Sequence, residues 1–538
     1  MQPLLVLANG TIYTMNAAQP RAEAMLLDPN TGTIVGVGTS EEMRRQAGPL
    51  AEVVDLRGRA VLPGFIDAHI HLLHYAEHLR SVNLLGTQSE QEAAERVRAR
   101  AAALPKGMWI TGGQWDKNLW PGGNFPTRAS LDAVAPDHPV ALWSKDGHTL
   151  WVNSLALTLA GITRETPEPE SGTIVRDATG EATGMLKEYG ATGLVEKIIP
   201  DPAEAELTPA LADAMSYIQQ RGITSVHDIE DHLAVQHFQR LHARNALGVR
   251  VLFFFPRQSL RALGQLGLQA GFGDDWLRLG GIKIFADGTL GSQTAAMLDP
   301  FEGSADNRGI LAVPPDEMNS IISMAAGGSL HIAIHAIGDR ACRVALDGIE
   351  RAVQQGHSSA SGAGVRYRLE HVQLIAPEDI QRMARLGVVA SVQPFHAVAD
   401  RDVAERHWGP RYRRAYAYRT LQQSGVPLAL GSDAPVETAD PLRIIHAAVA
   451  RRDDQTQERA PWLPEQSLSV AQAVWSYTLG AAYAGGEEGR KGSLEVGKLA
   501  DLVVLGADPF ALPTGELAQA PVEATLIGGK VVYGNLPG

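Results

Sequence analysis

Residues 64–78 read GFIDAHIHLLHYAEH, four histidines in fifteen positions behind a Pro-Gly turn. The fold turns on how the first half of this run is read. His69 and His71 are two apart, and residues at i and i+2 of a helix do not face the same way. At the end of a β-strand that spacing points both imidazoles to one side. The apolar residues before them fit a strand, and His74 and His78 fall on the helix that follows, as wall or surface residues. By itself the His-x-His pair suits a metal site or a hydrogen-bonded couple equally.

Seven later runs have the same buried, β-branched texture: ITSVHD (223–228), VRVLFFF (249–255), GIKIFADG (281–288), LHIAIHA (330–336), YRLEHVQ (367–373), GVVASVQPF (387–395) and VPLALGSDAP (426–435). With VLPGFIDAH (61–69) they make eight, the strand count of a (β/α)8 barrel. Helical stretches rich in Ala, Leu and Arg alternate with short strands, which argues for βα units and a parallel sheet. The first two strands are separated by about 150 residues, far beyond an ordinary crossover, so a subdomain is inserted at about 85–190. Both ends of the chain differ from this middle. LLVLANGTIYTM (4–15) carries an Asn-Gly between apolar runs, a hairpin signal, and GSLEVGKLADLVVLGADP (492–509) and VEATLIGGKVVYG (522–534) have similar texture. The expected architecture is α/β: a TIM-type barrel over 63–480 with its insertion, and a composite β-sandwich built from 1–62 and 481–538.

Composition narrows the class of function. The 538 residues are 45% hydrophobic and 20% charged, ordinary for a globular chain with an ample core. A formal net charge of −13 leaves no excess of Lys and Arg for phosphates, so nucleic acid is not an expected partner. One cysteine, Cys342, rules out an intramolecular disulfide and a thiolate cluster. The N-terminus lacks a basic region before its short apolar run, and no stretch approaches the roughly 18–20 apolar residues of a spanning helix. A cytoplasmic protein acting on a small molecule is expected, with self-association into a homo-oligomer left open.

The chemistry lies at the strand ends. Lys283 interrupts the fourth run, His335 closes the fifth, His371 the sixth, and Asp433 the eighth. Singly these are a paired lysine, satisfied histidines and a helix cap. Together with His69 and His71 they are nitrogen and oxygen ligands on five of eight strand ends, all facing the C-terminal mouth where barrel enzymes keep their sites.

In these residues the sequence resembles the amidohydrolase superfamily of metal-dependent hydrolases. More narrowly it resembles the amidohydrolase-3, YtcJ-like branch, through PGFIDAHIH, LWSKDGHTLWVNSLAL, GEATGMLKE, GITSVHD, KIFADGTLGSQTA, HAIGDRA, LEHVQ and GSDAPVE. The resemblance implies one or two divalent ions, zinc foremost, held by His69, His71, Lys283, His335, His371 and Asp433. It also implies carboxylation of Lys283 to a carbamate that bridges two metals; an unmodified lysine beside one metal is the alternative. Such a site hydrolyses a non-peptide C–N bond of an amide, formamide or cyclic amide. Asp433 is then the general base and His371 a ligand or electrophile. An ester, lactone or phosphoester is the alternative substrate, and a non-catalytic barrel the third reading. Trp115 and His148 in the insert, with Asp287, Gln293, Gln393 and His396 near strand ends, are the candidates for substrate binding.

Overall fold

The computed structural model describes residues 2–145, 148–169, 172–200, 204–357, 364–456 and 458–537. The chain divides into two units, Met1–Leu73 with Leu211–Gly538, and His74–Ala210.

The first unit holds an eight-stranded parallel sheet: β1 Phe65–Ile70, β2 Ile223–Ile229, β3 Arg250–Pro256, β4 Leu277–Phe285, β5 His331–Ala336, β6 Tyr367–His371, β7 Val389–Val392 and β8 Leu428–Leu430. Each strand pairs with its neighbour in sequence, from β1 to β8. All eight coincide with the apolar runs expected to form them, because strands covered by helices on one side and a packed interior on the other are apolar throughout. Closure is made just beyond β8. The amide of Ser432 donates to Asp67 Oδ1 (2.9 Å), that of Asp433 to the His69 carbonyl (2.7 Å), and that of His71 to the Ala434 carbonyl (3.0 Å). The eighth strand end is thereby bonded directly beside the first, and the sheet is a TIM-type barrel.

The same unit carries two further sheets. One is four-stranded, in the order Thr33–Gly38, Ala24–Asp28, Leu5–Ala8, Glu52–Asp55. The other is six-stranded, in the order Lys530–Gly534, Val522–Ile527, Leu502–Leu505, Ala60–Pro63, Thr11–Tyr13, Arg21–Ala22. A shared core of Leu5, Leu27, Val61, Leu502 and Leu526 fills the space between them, a sandwich built from both termini. The expected hairpin at Asn9-Gly10 is corrected here. Leu5–Ala8 and Thr11–Tyr13 belong to different sheets, and the turn carries the chain from one to the other. Asn9 does take the left-handed backbone (φ 57°) that the dipeptide signals; what the turn signal does not contain is which strands pair. VLPGFIDAH is likewise two strands, Ala60–Pro63 in the sandwich and β1 in the barrel.

The barrel also runs past 480. Ala481, Ala482 and Ala484 pack against Ile66 of β1, Val389 of β7 and Ala429 of β8.

The second unit is wider than 85–190 at both ends. Val82–Asn83 already pairs with Gly112–Gly113 as the edge of its six-stranded sheet, and Ala191 and Val195 pack on the strands Thr149–Val152 and Ala182–Lys187. Its second core holds Trp115, Trp120 and Trp151 with rings 5.9–6.2 Å apart.

Candidate metal centre

Three strand ends of the barrel, those of β1, β5 and β6, bring four imidazoles together. The His69 ring lies 5.4 Å from that of His71 and 5.0 Å from that of His371, and His371 lies 4.6 Å from His335. Alternation along β6 sends Arg368 and Glu370 into the barrel interior. His371 leaves the strand with φ 74° and joins the cluster, and Asp433 has φ 60°. Left-handed backbone at two bulky polar residues of one site is strain that the surrounding hydrogen bonds must hold.

The hydrogen bonds decide which nitrogens carry protons. The Nδ1 of His69 lies 2.6 Å from Glu370 Oε2, that of His71 2.6 Å from the Ile229 carbonyl, and that of His371 2.8 Å from Gln393 Oε1. Each partner is an acceptor, so each Nδ1 donates. The Nε2 atoms of His69 and His371 keep their lone pairs, whereas His71 Nε2 faces the Asp433 carboxylate, which can only accept, and holds a proton until a cation takes its place. His71 Nε2 faces Asp433 Oδ1 at 3.0 Å, and His69 Nε2 lies 3.5 Å from the same oxygen. One ligand atom each from His69, His371 and Asp433 fall within 4.8 Å of one another. Lone pairs that converge in this way fit a divalent cation among them, in nitrogen and oxygen donors suited to zinc and its neighbours.

Three of the four imidazoles are held neutral; the exception is His71, which the Asp433 carboxylate raises above its ordinary value against the effect of burial. Burial, helped by Lys283, pushes His69 and His335 down to about 4. Burial and His335 hold His371 well below the usual imidazole value. Burial opposes ionisation of Asp433, yet His69, His396 and His71 hold it well below the usual carboxylate range. Burial also lowers Lys283, whose Nζ is 3.4 Å from His69 Nε2, to about 8.

The remaining expected residues divide. His335 turns Nε2 to the Gly288 carbonyl (3.0 Å), which leaves Nδ1 as its free ligand atom. His396 lines the cavity, and its Nε2 lies 3.0 Å from Asp433 Oδ2. Gln393 sits behind His371 and orients it. Asp287 is buried beneath His335 and accepts the amides of Ala296, Ile337 and Gly338 at 2.8–3.1 Å. Its carboxylate binds the β4 and β5 loops rather than facing the cavity. Gln293 lies in the β4 loop outside the cavity lining, with φ 55°. In the other unit Trp115 is core, its indole N–H donating to the Leu142 carbonyl (2.9 Å), while His148 is exposed with Nδ1 3.2 Å from Glu188. Asp146 and Gly147, between the two halves of the LWSKDGHTLWVNSLAL motif, lie outside the described residues.

Several residues escaped the sequence reading. The cavity is about 420 Å³, and Phe285, Leu290, Ile337 and Val436 make its wall apolar, with Glu437 and Asp400 at the polar side. Arg368 and Glu370 lie fully buried beneath the histidines. The signal was there for this last pair: two opposite charges, two apart, in an otherwise buried strand. On the outer side of β1, the amides of Leu72 and Leu73 donate to Asp228 (2.9 Å) and Glu230 (2.8 Å), which fixes the exit from His71 into its helix.

A family profile described as Amidohydrolase family matches residues 52–533. Among curated relatives, Protein LONG AFTER FAR-RED 3 of Arabidopsis thaliana is 34% identical over 98% of this chain and 91% of its own. YtcJ of Bacillus subtilis is 32% identical over 97% and 98%. N-substituted formamide deformylase of Arthrobacter pascens is 31% identical over 98% of both chains. Among solved structures, a metal-dependent hydrolase from Pyrococcus furiosus superposes with a TM-score of 0.77 at 29% identity, covering 94% of this chain and 100% of that one. Profile, relatives and fold agree over nearly the whole length, and the chain belongs to the amidohydrolase family.

Proposed function

We propose that this hydrolase cleaves a non-peptide C–N bond of an amide, formamide or cyclic amide, with Asp433 as general base. The observation that carries the reading is the placement of Asp433. Its two oxygens lie 3.0 Å from His71 and 3.0 Å from His396, and it lines the same cavity as the histidines. The formamide deformylase relative favours the amide class.

His69, His71, His371 and Asp433 would hold the ion, and His335 and Lys283 complete the set. A divalent metal, zinc in this reading, supplies when bound an acidified water and polarisation of the scissile carbonyl. Asp433 Oδ2, bonded to His396, takes the proton of the attacking water and returns it to the leaving nitrogen. His371, locked by Gln393, is fixed beside the reacting carbonyl. The apolar wall of Phe285, Leu290, Ile337 and Val436 excludes water from the rest of the substrate. Burial brings the Lys283 amine to about 8, so a useful fraction is neutral near pH 7 and able to add carbon dioxide. The carbamate at Lys283 is proposed from the family resemblance, and the lowered amine is in keeping with it. No described helix is long and apolar enough to cross a membrane, and a cytoplasmic setting is in keeping with the single, buried Cys342.

A panel of N-substituted formamides, cyclic amides and matched esters, assayed with zinc-loaded and chelated protein, tests the proposal. Zinc-dependent turnover of amides is expected. Hydrolysis of the esters alone, with every amide inert, would refute the substrate class.

A further inference from the structure

Beneath the histidines lies a charged pair with no contact to the cavity. Arg368 and Glu370 are both 0% exposed. Arg368 donates to Glu370 Oε2 (3.0 Å) and also reaches Glu370 Oε1. The same guanidinium bonds Ser391 Oγ on β7 (2.8 Å), His227 Nδ1 on β2 (2.8 Å) and the Ala68 carbonyl on β1. Arg368 therefore ties strands β1, β2, β6 and β7 to a single point on the barrel axis. Glu370 Oε2 is in turn 2.6 Å from His69 Nδ1.

We infer that Glu370, held by Arg368, is the positioning residue that makes His69 a metal ligand. The inference rests on the assignment of His69 to the metal site. A buried pair of charges is costly to desolvate and adds little stability by itself. What this pair does is specific to one atom. A carboxylate can only accept, so it keeps the proton of His69 on Nδ1 and leaves the lone pair on Nε2, 3.4 Å from Lys283 Nζ and 3.5 Å from Asp433. It also raises the basicity of that nitrogen toward a metal. Arg368 removes the freedom of Glu370 to turn away, because both carboxylate oxygens are engaged.

Glutamine at 370 exposes the logic. Its single oxygen is drawn to the Arg368 guanidinium, so the NH2 group faces His69 Nδ1. That nitrogen must then accept, and the proton moves to Nε2, where it blocks the metal. Zinc affinity of Glu370→Gln, measured on folded protein by competition with a chromophoric chelator, should fall about 10- to 100-fold. Glu370→Asp, which keeps the charge on a shorter arm, should recover part of the loss. If Glu370→Gln does not fold, Arg368→Met/Glu370→Met removes both charges together, leaves His69 Nδ1 with no acceptor, and should also show weakened zinc binding. A role confined to structure would lower the melting temperature and leave the affinity of the folded fraction unchanged. Zinc binding within about twofold of wild type in a folded charge-neutral variant overturns the inference. Wild-type protein that takes up no zinc would instead refute the metal assignment beneath it.

Discussion

Replacing Asp433 with Asn isolates the base from the ligand. The side chain is buried among partners that read its two oxygens separately: His71 Nε2 on Oδ1 and His396 Nε2 on Oδ2, each at 3.0 Å. Asn keeps the shape and one oxygen. It cannot accept a proton near neutral pH, and its NH2 takes the place of one acceptor. If the oxygen stays toward His71 and the metal, the NH2 faces His396 and the proton-transfer position is lost. A positioned general base contributes about 10²- to 10⁴-fold, or about 3–5 kcal/mol of transition-state stabilisation. The fold should survive, because the backbone bond from Asp433 N to the His69 carbonyl (2.7 Å) does not involve the side chain. Zinc content should stay near wild type, for His69, His71 and His371 all remain. Steady-state kinetics on any confirmed amide, with metal content measured on the same preparation, should show kcat and kcat/KM falling together, since the contribution arises in the transition state. Near wild-type kcat in a zinc-replete Asn variant would refute the assignment and move the base elsewhere, to His371 first.

Purified protein should carry one or two first-row divalent ions per chain by elemental analysis, and full activity after complete chelation would remove the basis of the mechanism. Lys283→Ala should lose metal and turnover together, with partial rescue by short carboxylic acids that replace a bridging carbamate; an Ala variant with unchanged metal content contradicts the bridge. Trp115→Ala should cost about 3–5 kcal/mol in chemical denaturation through the cavity it leaves among Trp120 and Trp151. Trp115→Phe should leave KM unchanged, whereas a raised KM in a stable Phe variant would return Trp115 to the substrate.

Much of this protein is local, and local features are legible in the chain. A strand covered on both faces is an unbroken apolar run, so each of the eight barrel strands announces itself within ten residues or fewer. A polar residue closing such a run is out of place for packing, which is how His69, His71, Lys283, His335, His371 and Asp433 stand out. Asn9 takes the turn backbone that its dipeptide signals, and the tryptophans of the insert show their aromatic mass. None of these readings required knowing what lay opposite. Roles set by a partner across the fold were a different matter. Glu370 meets His69 across 301 residues of sequence, and Arg368 meets Ala68 across 300. Asp287 is a carboxylate beside the site in sequence, yet three amides from two loops claim it. Side-chain type limits which bonds a residue can make, but only closure of the barrel decides which atoms come within 3 Å. The chain therefore marked on its own the polar residues that gather at the strand ends, while the proton on each imidazole, and the pairing of Asn9's two strands with different sheets, depended on contacts that exist only once distant segments have packed.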